Sequence, residues 1–328
     1  MTATGRTGNR LLVTSEGTHA EAFQPFDWLL VATAALIWGS SFLFIAIGLE
    51  HFEPGVVTWG RIAFGALALW SLPVARRVRI DRRDRRRVVL VGVCWMAFPL
   101  TMYSVAEQWI DSSLAGMITA ATPIWTALIA TALLRRLPGR LLVIGLVVGL
   151  VGVLVLSWPS VRDADASALG VLLVVLATVS YGISSNVAVP LQHKYGAIPV
   201  LARAQLVALV VVLPYAVAGA PESSFGAGSL AAVVALGTLG TGLAFVAGAT
   251  LMGRVGATRG TLLTYLMPIV SIALGVVFRD EIFDGYGAVG VGLVLAGAFL
   301  ASRAEHRPLM PVADEGGAVV SSTSRSRP

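Results

Sequence analysis

One apolar pattern occurs twice along this chain. It centres on Pro123 in the first copy and on Pro268 in the second, 145 residues later. Aligning the two prolines also aligns two pairs of glycines, Gly145 with Gly290 and Gly152 with Gly297. Further upstream, the sequence WGSS around Trp38 corresponds to YGISS around Tyr181. Tandem copies of one apolar unit indicate a duplicated membrane protein, and such duplications are typical of secondary transporters.

The amount of apolar sequence indicates a membrane protein. Charged residues make up 13% of the chain and the hydrophobic set 56%, which leaves too few polar side chains to cover a soluble protein of this length. Apolar runs of about 20 residues recur throughout, each long enough to cross roughly 30 Å of hydrocarbon. Backbone polar groups must pair internally in lipid, so these runs favour helices over barrel strands. The sequence therefore predicts an all-α membrane protein with transmembrane helices at ten places, residues 28–47, 55–75, 88–106, 113–134, 140–158, 168–189, 197–218, 228–251, 260–278 and 286–302.

The ends of the chain differ in composition from the rest. Residues 1–27 are polar, and residues 303–328 are rich in Pro, Gly, Ser and Arg without periodicity, which predicts disordered tails. The apolar residues 11–13 are too few for the core of a signal peptide, so no cleaved leader is expected. Between the tails, the two copies occupy residues 28–158 and 168–302 with five predicted helices each.

A block of eight arginines between Arg76 and Arg87 fixes the predicted orientation. Together with the net charge of +6, this block could suggest a nucleic-acid ligand. Because it lies between two apolar runs, the positive-inside rule explains it better as a cytoplasmic loop beside anionic lipid headgroups, with no nucleic acid. The loops predicted on the other side of the membrane then hold two basic residues only, Arg162 and Arg279. Both termini are predicted to be cytoplasmic.

The number of helices per copy determines how the copies are related. Five crossings in the first copy force the second copy to enter the membrane upside down, so two inverted five-helix repeats are predicted. Inverted repeats can exchange their conformations and thereby open a central site to one side of the membrane at a time. The duplication therefore predicts alternating access between the two repeats.

The same residues carry a resemblance to a known family. Trp38 in its WGSS motif, Pro54 before the second apolar run and Arg61 within that run resemble the start of an EamA domain. The second copy repeats the series with matching residues, Tyr181, Pro199, Arg203, Pro268, Glu281, Gly290 and Gly297. Over about residues 28–302, the chain resembles the EamA branch of the drug/metabolite transporter superfamily. The resemblance implies a ten-span transporter of small molecules.

One position departs from the pattern of that family. The acidic residue common after the fourth span of such repeats is Glu281 in the second copy and Arg136 in the first. Inverted topology explains the difference, because Arg136 is predicted inside the cell and Glu281 outside it. We therefore interpret this position as a marker of topology and not as a shared functional residue.

Polar and aromatic residues within the apolar runs are the candidates for a solute cavity at mid-membrane. Two groups occupy matching places in the copies, Trp38 and Ser41 in the first and Tyr181 and Ser184 in the second. Two more groups flank the prolines, Thr119 and Thr122 with Pro123, and Thr261, Thr264 and Tyr265 with Pro268. A proline frees a carbonyl in mid-helix, and a freed carbonyl facing a cavity can accept a hydrogen bond from a solute. The alternative is that the small polar residues only hold helices together.

Arg61 and Arg203 are the basic residues placed within predicted spans. A charge inside the membrane is costly, so each arginine is a candidate for binding a substrate carboxylate or for gating. Both lie a short way into their helices, from where an arginine side chain can also reach the headgroups. A structural role is therefore the alternative for both residues.

No aspartate, glutamate or histidine lies deep within a predicted span. A proton-coupled mechanism would have to use acids near the surface, such as Asp27, Glu107 or Asp111. Facilitated diffusion and exchange remain open on the same grounds. Cys94 is the only cysteine, so an internal disulfide is excluded.

The predicted function is secondary transport of a small metabolite such as an amino acid, outward across the cytoplasmic membrane. The alternative from a different class is a membrane-embedded enzyme that acts on a lipid or isoprenoid substrate. Such enzymes place clustered Asp or His at helix ends, and the acidic cluster at residues 280–284 has no second cluster or His to complete a site. No catalytic residue, metal or cofactor is expected, and the protein is expected to be a monomer or a weak homodimer.

Overall fold

A computed structural model describes residues 11–303 except 20, 111, 136, 163–166, 271–272 and 275–284. The regular structure of the described residues is entirely helical. This agrees with the all-α class that the apolar runs predict.

The first half of the chain forms helices that begin repeatedly at prolines. Proline occupies the first turn of four of them, where its missing N–H has no partner to lose. The helices are α1 (Pro25–Leu49), α2 (Pro54–Trp70), the short α3 (Pro73–Arg77), α4 (Arg85–Ala106), α5 (Ser112–Thr119), α6 (Thr122–Leu134) and α7 (Arg140–Arg162).

The second half contains two pairs of helices joined by a single glycine. Gly196 and Gly256 stand at these joints with φ values of 81° and 88°, a conformation that side chains with a Cβ rarely adopt. The helices are α8 (Ala168–Tyr195), α9 (Ala197–Gly219), α10 (Ala227–Val255), α11 (Ala257–Thr261) and α12 (Gly285–Ser302).

The ten predicted spans are found only in part. Five helices of the described residues are long and apolar enough to cross a membrane, namely α1, α4, α8, α10 and the segment Ala197–Glu222 that contains α9. Shorter apolar helices are Thr122–Leu134, Arg140–Val155 and Ala288–Ser302. The predicted span 113–134 is not one helix, because the chain breaks between α5 and α6 just before Pro123. The predicted span 260–278 runs into residues that the structure does not describe.

The duplication is visible in two irregular segments. Helix α4 contains a π-helical stretch at Gly92–Ala97, and α10 contains one at Leu236–Leu243. The first stretch packs on α9 and the second on α2, so each repeat places its π-helical stretch against the second long helix of the other repeat. A two-repeat architecture fits this exchange of contacts.

Helices α7 and α12, the last of each repeat, pack against each other through glycines. A Cβ atom added at Gly297 would lie 2.4 Å from the backbone nitrogen of Gly149 and 2.8 Å from the carbonyl oxygen of Gly145. Small residues at such a crossing let the two backbones approach closely, which is how helices commonly associate within lipid. The repeated glycines of the sequence therefore include residues that join the ends of the two repeats.

The end of the N-terminal region packs against the second repeat. The backbone N–H of Thr18 donates to Gly253 O at 3.2 Å, and that of His19 donates to Arg254 O at 2.7 Å. Arg254 in turn forms an ion pair with the buried Asp27 at 2.5 Å. Part of the region predicted as a disordered tail thus has backbone partners, and Asp27 is occupied by a structural contact.

A cluster of charged residues holds the arginine-rich segment against the end of α8. Lys194 contacts Asp84 at 2.8 Å and Asp81 at 2.6 Å, and the hydroxyl of Tyr195 donates to Asp84 at 2.7 Å. Burial by itself would raise the pKa of Asp84, but the hydrogen bonds from Lys194 and Tyr195 outweigh it and hold this pKa below its usual value. The ionised form of Asp84 therefore stabilises the folded protein.

This cluster predicts a dependence of stability on pH. The contribution of a carboxyl with a lowered pKa is present above its ordinary value near 4 and is lost as the pH falls through the folded-state value. We expect Asp84→Asn to lower the melting temperature at pH 7 and to have a smaller effect at pH 3. Thermal unfolding of the purified wild type and variant at both pH values measures this, and an equal difference at both would contradict it.

Candidate functional site

A cavity lies where the two repeats meet, and we call it the central cavity. Its walls come from α1, α2, α4, α5, α6, α8, α10 and the segment from α11 to Met267. Seven of the twelve predicted site residues line it: Trp38, Ser41, Arg61, Thr119, Thr122, Tyr181 and Thr264. Thr261 of the same predicted stripe also lines it. Residues far apart in the sequence therefore face one space.

The central cavity is narrow in this conformation. Its volume is about 60 Å³, which is room for a few water molecules. Sites that bind small molecules commonly measure roughly 300–1,000 Å³. A metabolite can therefore enter only if the surrounding helices move apart.

Aromatic rings form much of the wall. Phe245 meets Trp38 edge-to-face with ring centroids 5.0 Å apart and meets Trp95 with centroids 5.7 Å apart. On another part of the wall, Tyr103 stacks on Tyr181 with centroids 6.0 Å apart. Trp95, Tyr103 and Phe245 were not predicted from the sequence, because an aromatic residue in an apolar run has no feature that separates a wall position from ordinary packing.

A π-helical stretch of α10 positions the indole of Trp38. The indole N–H donates to the carbonyl oxygen of Gly240 at 2.9 Å, across the boundary between the repeats. Gly240 lies within Leu236–Leu243, where the π-helical geometry disturbs the regular backbone pattern. Trp38 is thereby held with its ring along the cavity wall.

Arg61 places a positive charge in the wall of the cavity. The residue is only 3% exposed, and its Nε–H donates to the hydroxyl of Thr241 at 3.1 Å. Among the residues that the structure describes, no carboxylate lies within ion-pair distance of Arg61. A buried guanidinium with a neutral hydroxyl as its partner retains donors for an anionic group.

Threonines line the cavity at the break between α5 and α6. The hydroxyl of Thr119 lies 2.8 Å from that of Tyr103, and the hydroxyl of Thr122 donates to Thr119 O at 2.7 Å. Because α6 begins at Thr122, the positive end of its helix dipole adjoins the cavity. Pro123 occupies the first turn of α6, so it begins a helix instead of kinking a continuous one. The sequence predicted that Pro123 frees a carbonyl in the middle of a helix. The structure instead has the start of a helix at this position.

Five of the predicted residues do not line the cavity. Arg203 donates to the carbonyl oxygens of Ala75 and Val78 and lies over the ring of Trp70, so it fastens the segment after α2 to α9. These contacts support the alternative interpretation of Arg203, a structural role. The other four are Tyr265, whose hydroxyl donates to Leu146 O at 2.9 Å, Ser184, which donates to Ser180 O at 2.9 Å, and the two prolines, Pro123 and Pro268.

Glu107 is more enclosed than its position at the end of α4 suggests. Both carboxyl oxygens are buried and have no hydrogen-bond partner among the described residues. Arg61 is the cation that acts on this carboxyl electrostatically. Of the other acids named from the sequence, Asp27 is paired with Arg254, and Asp111 lies outside the described residues, as do Arg136 and Glu281.

The described residues contain no group of three or more His, Cys, Asp or Glu that could hold a metal ion. The site instead combines aromatic faces, hydroxyls and one guanidinium. These groups are suited to binding an organic solute by stacking, hydrogen bonding and attraction to an anion.

Duplicated apolar helices around a cavity lined by aromatic rings, hydroxyls and one guanidinium are typical of a helical membrane transporter. The family model of the EamA-like transporter family matches residues 27–158 and 168–303. The chain belongs to this family.

Individual proteins show the same likeness. An uncharacterized transporter of Archaeoglobus fulgidus is 24% identical over 280 residues, covering 84% of this chain and 98% of that protein. A protein of Streptantibioticus cattleyicolor named "Probable terminal-alkyne amino-acid exporter" is 25% identical over 283 residues, covering 84% of this chain and 93% of its own. A crystal structure with 22% identity, covering 84% of this chain and 96% of the other, has a TM-score of 0.70 and shares the fold.

The threonines at the start of α6 give a prediction for the site. We expect Thr122→Val to reduce transport, because it removes a hydroxyl from the cavity wall while conserving the shape of the side chain. Thr101→Val on α4 is the matched control, because its hydroxyl also donates to a backbone carbonyl oxygen, that of Ala97, but does not line the central cavity. Uptake or efflux assays on equal amounts of membrane protein measure the effect, and equal transport by both variants would contradict it.

Proposed function

We propose that this protein is a secondary transporter that exports a small carboxylate-bearing metabolite of the amino-acid class from the cytoplasm. The observation that carries the proposal is Arg61, a buried guanidinium in the cavity wall with no carboxylate within ion-pair distance among the described residues. A substrate carboxylate would come closer to Arg61 than Glu107 does and would accept charge-assisted hydrogen bonds from it.

The surroundings of Arg61 support a substrate with both charged and apolar parts. The start of α6 at Thr122 adds the positive end of a helix dipole, which also favours a carboxylate. The rings of Trp38, Tyr103 and Tyr181 offer faces for an apolar side chain or for an ammonium group through cation–π attraction. An amino acid carries all three kinds of group.

The narrow cavity supports a mechanism of alternating access. A cavity of about 60 Å³ is too small for a metabolite, which fits an occluded or empty state of the proposed cycle. The exchanged contacts of the two π-helical stretches join the halves in a symmetric manner. In the proposed mechanism, two inverted five-helix repeats rock against each other and widen the cavity toward one side at a time.

Family membership favours a transporter over the alternative of a membrane-embedded enzyme. A direct test is comparative metabolite profiling. Cells that overproduce the protein are expected to show more of one amino-acid-like compound outside and less of it inside than cells that overproduce Arg61→Gln. A change confined to lipids or isoprenoids would favour the enzyme instead. Accumulation of a compound inside the overproducing cells would reverse the proposed direction.

A labelling experiment tests the proposed orientation in the cell membrane. We expect Arg83→Cys, in a Cys94→Ala background, to react with a membrane-impermeant thiol reagent only in inside-out vesicles, because the arginine-rich loop is predicted to be cytoplasmic. Cysteine at Ser224, in a loop predicted on the outside, is the opposite control. Reaction of position 83 in intact cells would contradict cytoplasmic termini.

The arginine-rich loop is proposed to contact anionic lipid headgroups. The protein is proposed to act as a monomer or a weak homodimer.

A further inference from the structure

A second cavity of about 520 Å³ lies on the side of the protein that is predicted to be cytoplasmic, and we call it the inner cavity. Parts of α6, α7, α8, α10, α11, α12 and the loop before α7 form its walls, and Thr14, Ser15, Glu16, Gly17, His19 and Glu21 of the N-terminal region cover one side. Its volume falls within the range of about 300–1,000 Å³ that is typical of small-molecule sites. The inner cavity, unlike the central cavity, is already large enough for a metabolite.

The two cavities adjoin each other along four elements. On each element, a residue lining the central cavity is followed or preceded within a few positions by one lining the inner cavity. The pairs are Thr122 with Ala127 on α6, Ser185 with Asn186 on α8, Met252 with Val255 on α10, and Thr261 with Thr258 on α11. Five residues of helix span only about 7.5 Å, so a thin layer of side chains separates the cavities.

The contact between Asn186 and Thr126 belongs to this separating layer. Both side chains are fully buried, and the amide of Asn186 donates to Thr126 O at 3.1 Å, joining the second repeat to the first. The Oδ1 atom of Asn186 is buried and has no hydrogen-bond partner among the described residues. A buried amide oxygen without a hydrogen-bond donor is unfavourable. The Oδ1 atom can therefore gain a hydrogen bond from a solute that moves between the two cavities.

We propose that the inner cavity is a loading site for the solute on its way from the cytoplasm, and that the Asn186–Thr126 contact is the gate between it and the central cavity. This inference rests on the proposed function. The walls carry the carboxyl group of Glu21 and the guanidinium groups of Arg259 and Arg303, which suits a zwitterionic solute of amino-acid size. The ammonium or amide N–H groups of such a solute can donate to Asn186 as it passes.

Cysteine labelling tests the loading site, starting from Cys94→Ala. Ala130→Cys places a thiol in the wall of the inner cavity, whereas Leu128→Cys places one on the outer face of the same helix, where Leu128 is 57% exposed. With a negatively charged, membrane-impermeant methanethiosulfonate, we expect Ala130→Cys to react in inside-out vesicles and not in right-side-out vesicles. Reaction is expected to block amino-acid efflux in Ala130→Cys and to leave efflux of Leu128→Cys unchanged.

A second cysteine position and a second labelling reaction keep the test decisive if one variant misfolds. Thr131→Cys, also in the wall of the inner cavity, should behave as Ala130→Cys does. For the gate, Thr122→Cys in the central cavity should react slowly from the cytoplasmic side, and adding Asn186→Ala should accelerate its reaction. An unchanged rate would overturn the gate.

The outcomes separate the two proposals. If the wild type moves no amino acid, the proposed function and the loading site fail together. If the wild type moves amino acids and efflux continues after both inner-cavity cysteines are fully labelled, or if neither cysteine reacts from the cytoplasmic side, only the loading site fails.

Discussion

Arg61→Gln is expected to reduce transport of a carboxylate-bearing substrate by roughly tenfold or more, because a charge-assisted hydrogen bond contributes about 1.5–3 kcal/mol. The variant removes the charge but keeps an amide nitrogen at the position of Nε, from which it can still donate to Thr241. The buried guanidinium donates to one neutral hydroxyl, that of Thr241, and forms no ion pair with a described residue. Its loss should therefore affect substrate binding more than folding. Arg61→Lys keeps the charge but loses the planar fork, so intermediate transport is expected.

Transport of the solute found by metabolite profiling, measured in proteoliposomes with equal amounts of protein, gives the comparison. Arg203→Gln is the matched control, since Arg203 fastens a loop and does not line the central cavity. It should lower thermal stability without changing which solute is preferred. Equal transport losses in the two variants would show that Arg61 acts only through the structure, and full activity of Arg61→Gln would exclude it from the binding site.

The overall fold was largely predictable because membranes restrict backbone structure to a few solutions. The apolar runs predicted the helical class, and the repeated motifs around Pro123 and Pro268 predicted the family. The starts of α1 and α2 also follow directly from Pro25 and Pro54, since proline favours the first turn of a helix. The break before Pro123 was not predicted, because hydropathy alone does not distinguish a continuous helix from two helices joined in the membrane.

The lining of the central cavity was predictable where a polar residue stands out against an apolar background. Arg61 and the threonines of the proline stripes were identified in this way, and the structure brings them to one cavity. Arg203 resembled Arg61 in sequence, but the neighbouring carbonyls of Ala75 and Val78 satisfy it, and those neighbours come from the tertiary fold. Trp95 and Phe245 carried no such signal, since their contribution depends on which helix faces the cavity.

Gly297→Ala is expected to destabilise the protein strongly. An added Cβ would lie 2.4 Å from the nitrogen of Gly149 and 2.6 Å from its Cα atom, both of them backbone atoms of α7 that have no rotamer to change. The two helices must therefore separate. Overpacking typically costs about 1–3 kcal/mol and occasionally more, and here it would also disturb the contact that joins the ends of the repeats.

Gly292→Ala provides a matched control on the same helix. A Cβ at Gly292 meets nothing within 4 Å, and alanine favours a helix over glycine by about 1 kcal/mol, so stability should be unchanged or slightly higher. The same substitution, five positions apart on α12, is thus expected to act in opposite directions. Thermal unfolding in detergent and the yield of monodisperse protein measure both effects. A similar loss of stability in both variants would mean that α12 resists any larger residue, whereas no loss in either would mean that α7 and α12 are not held together by close backbone contact.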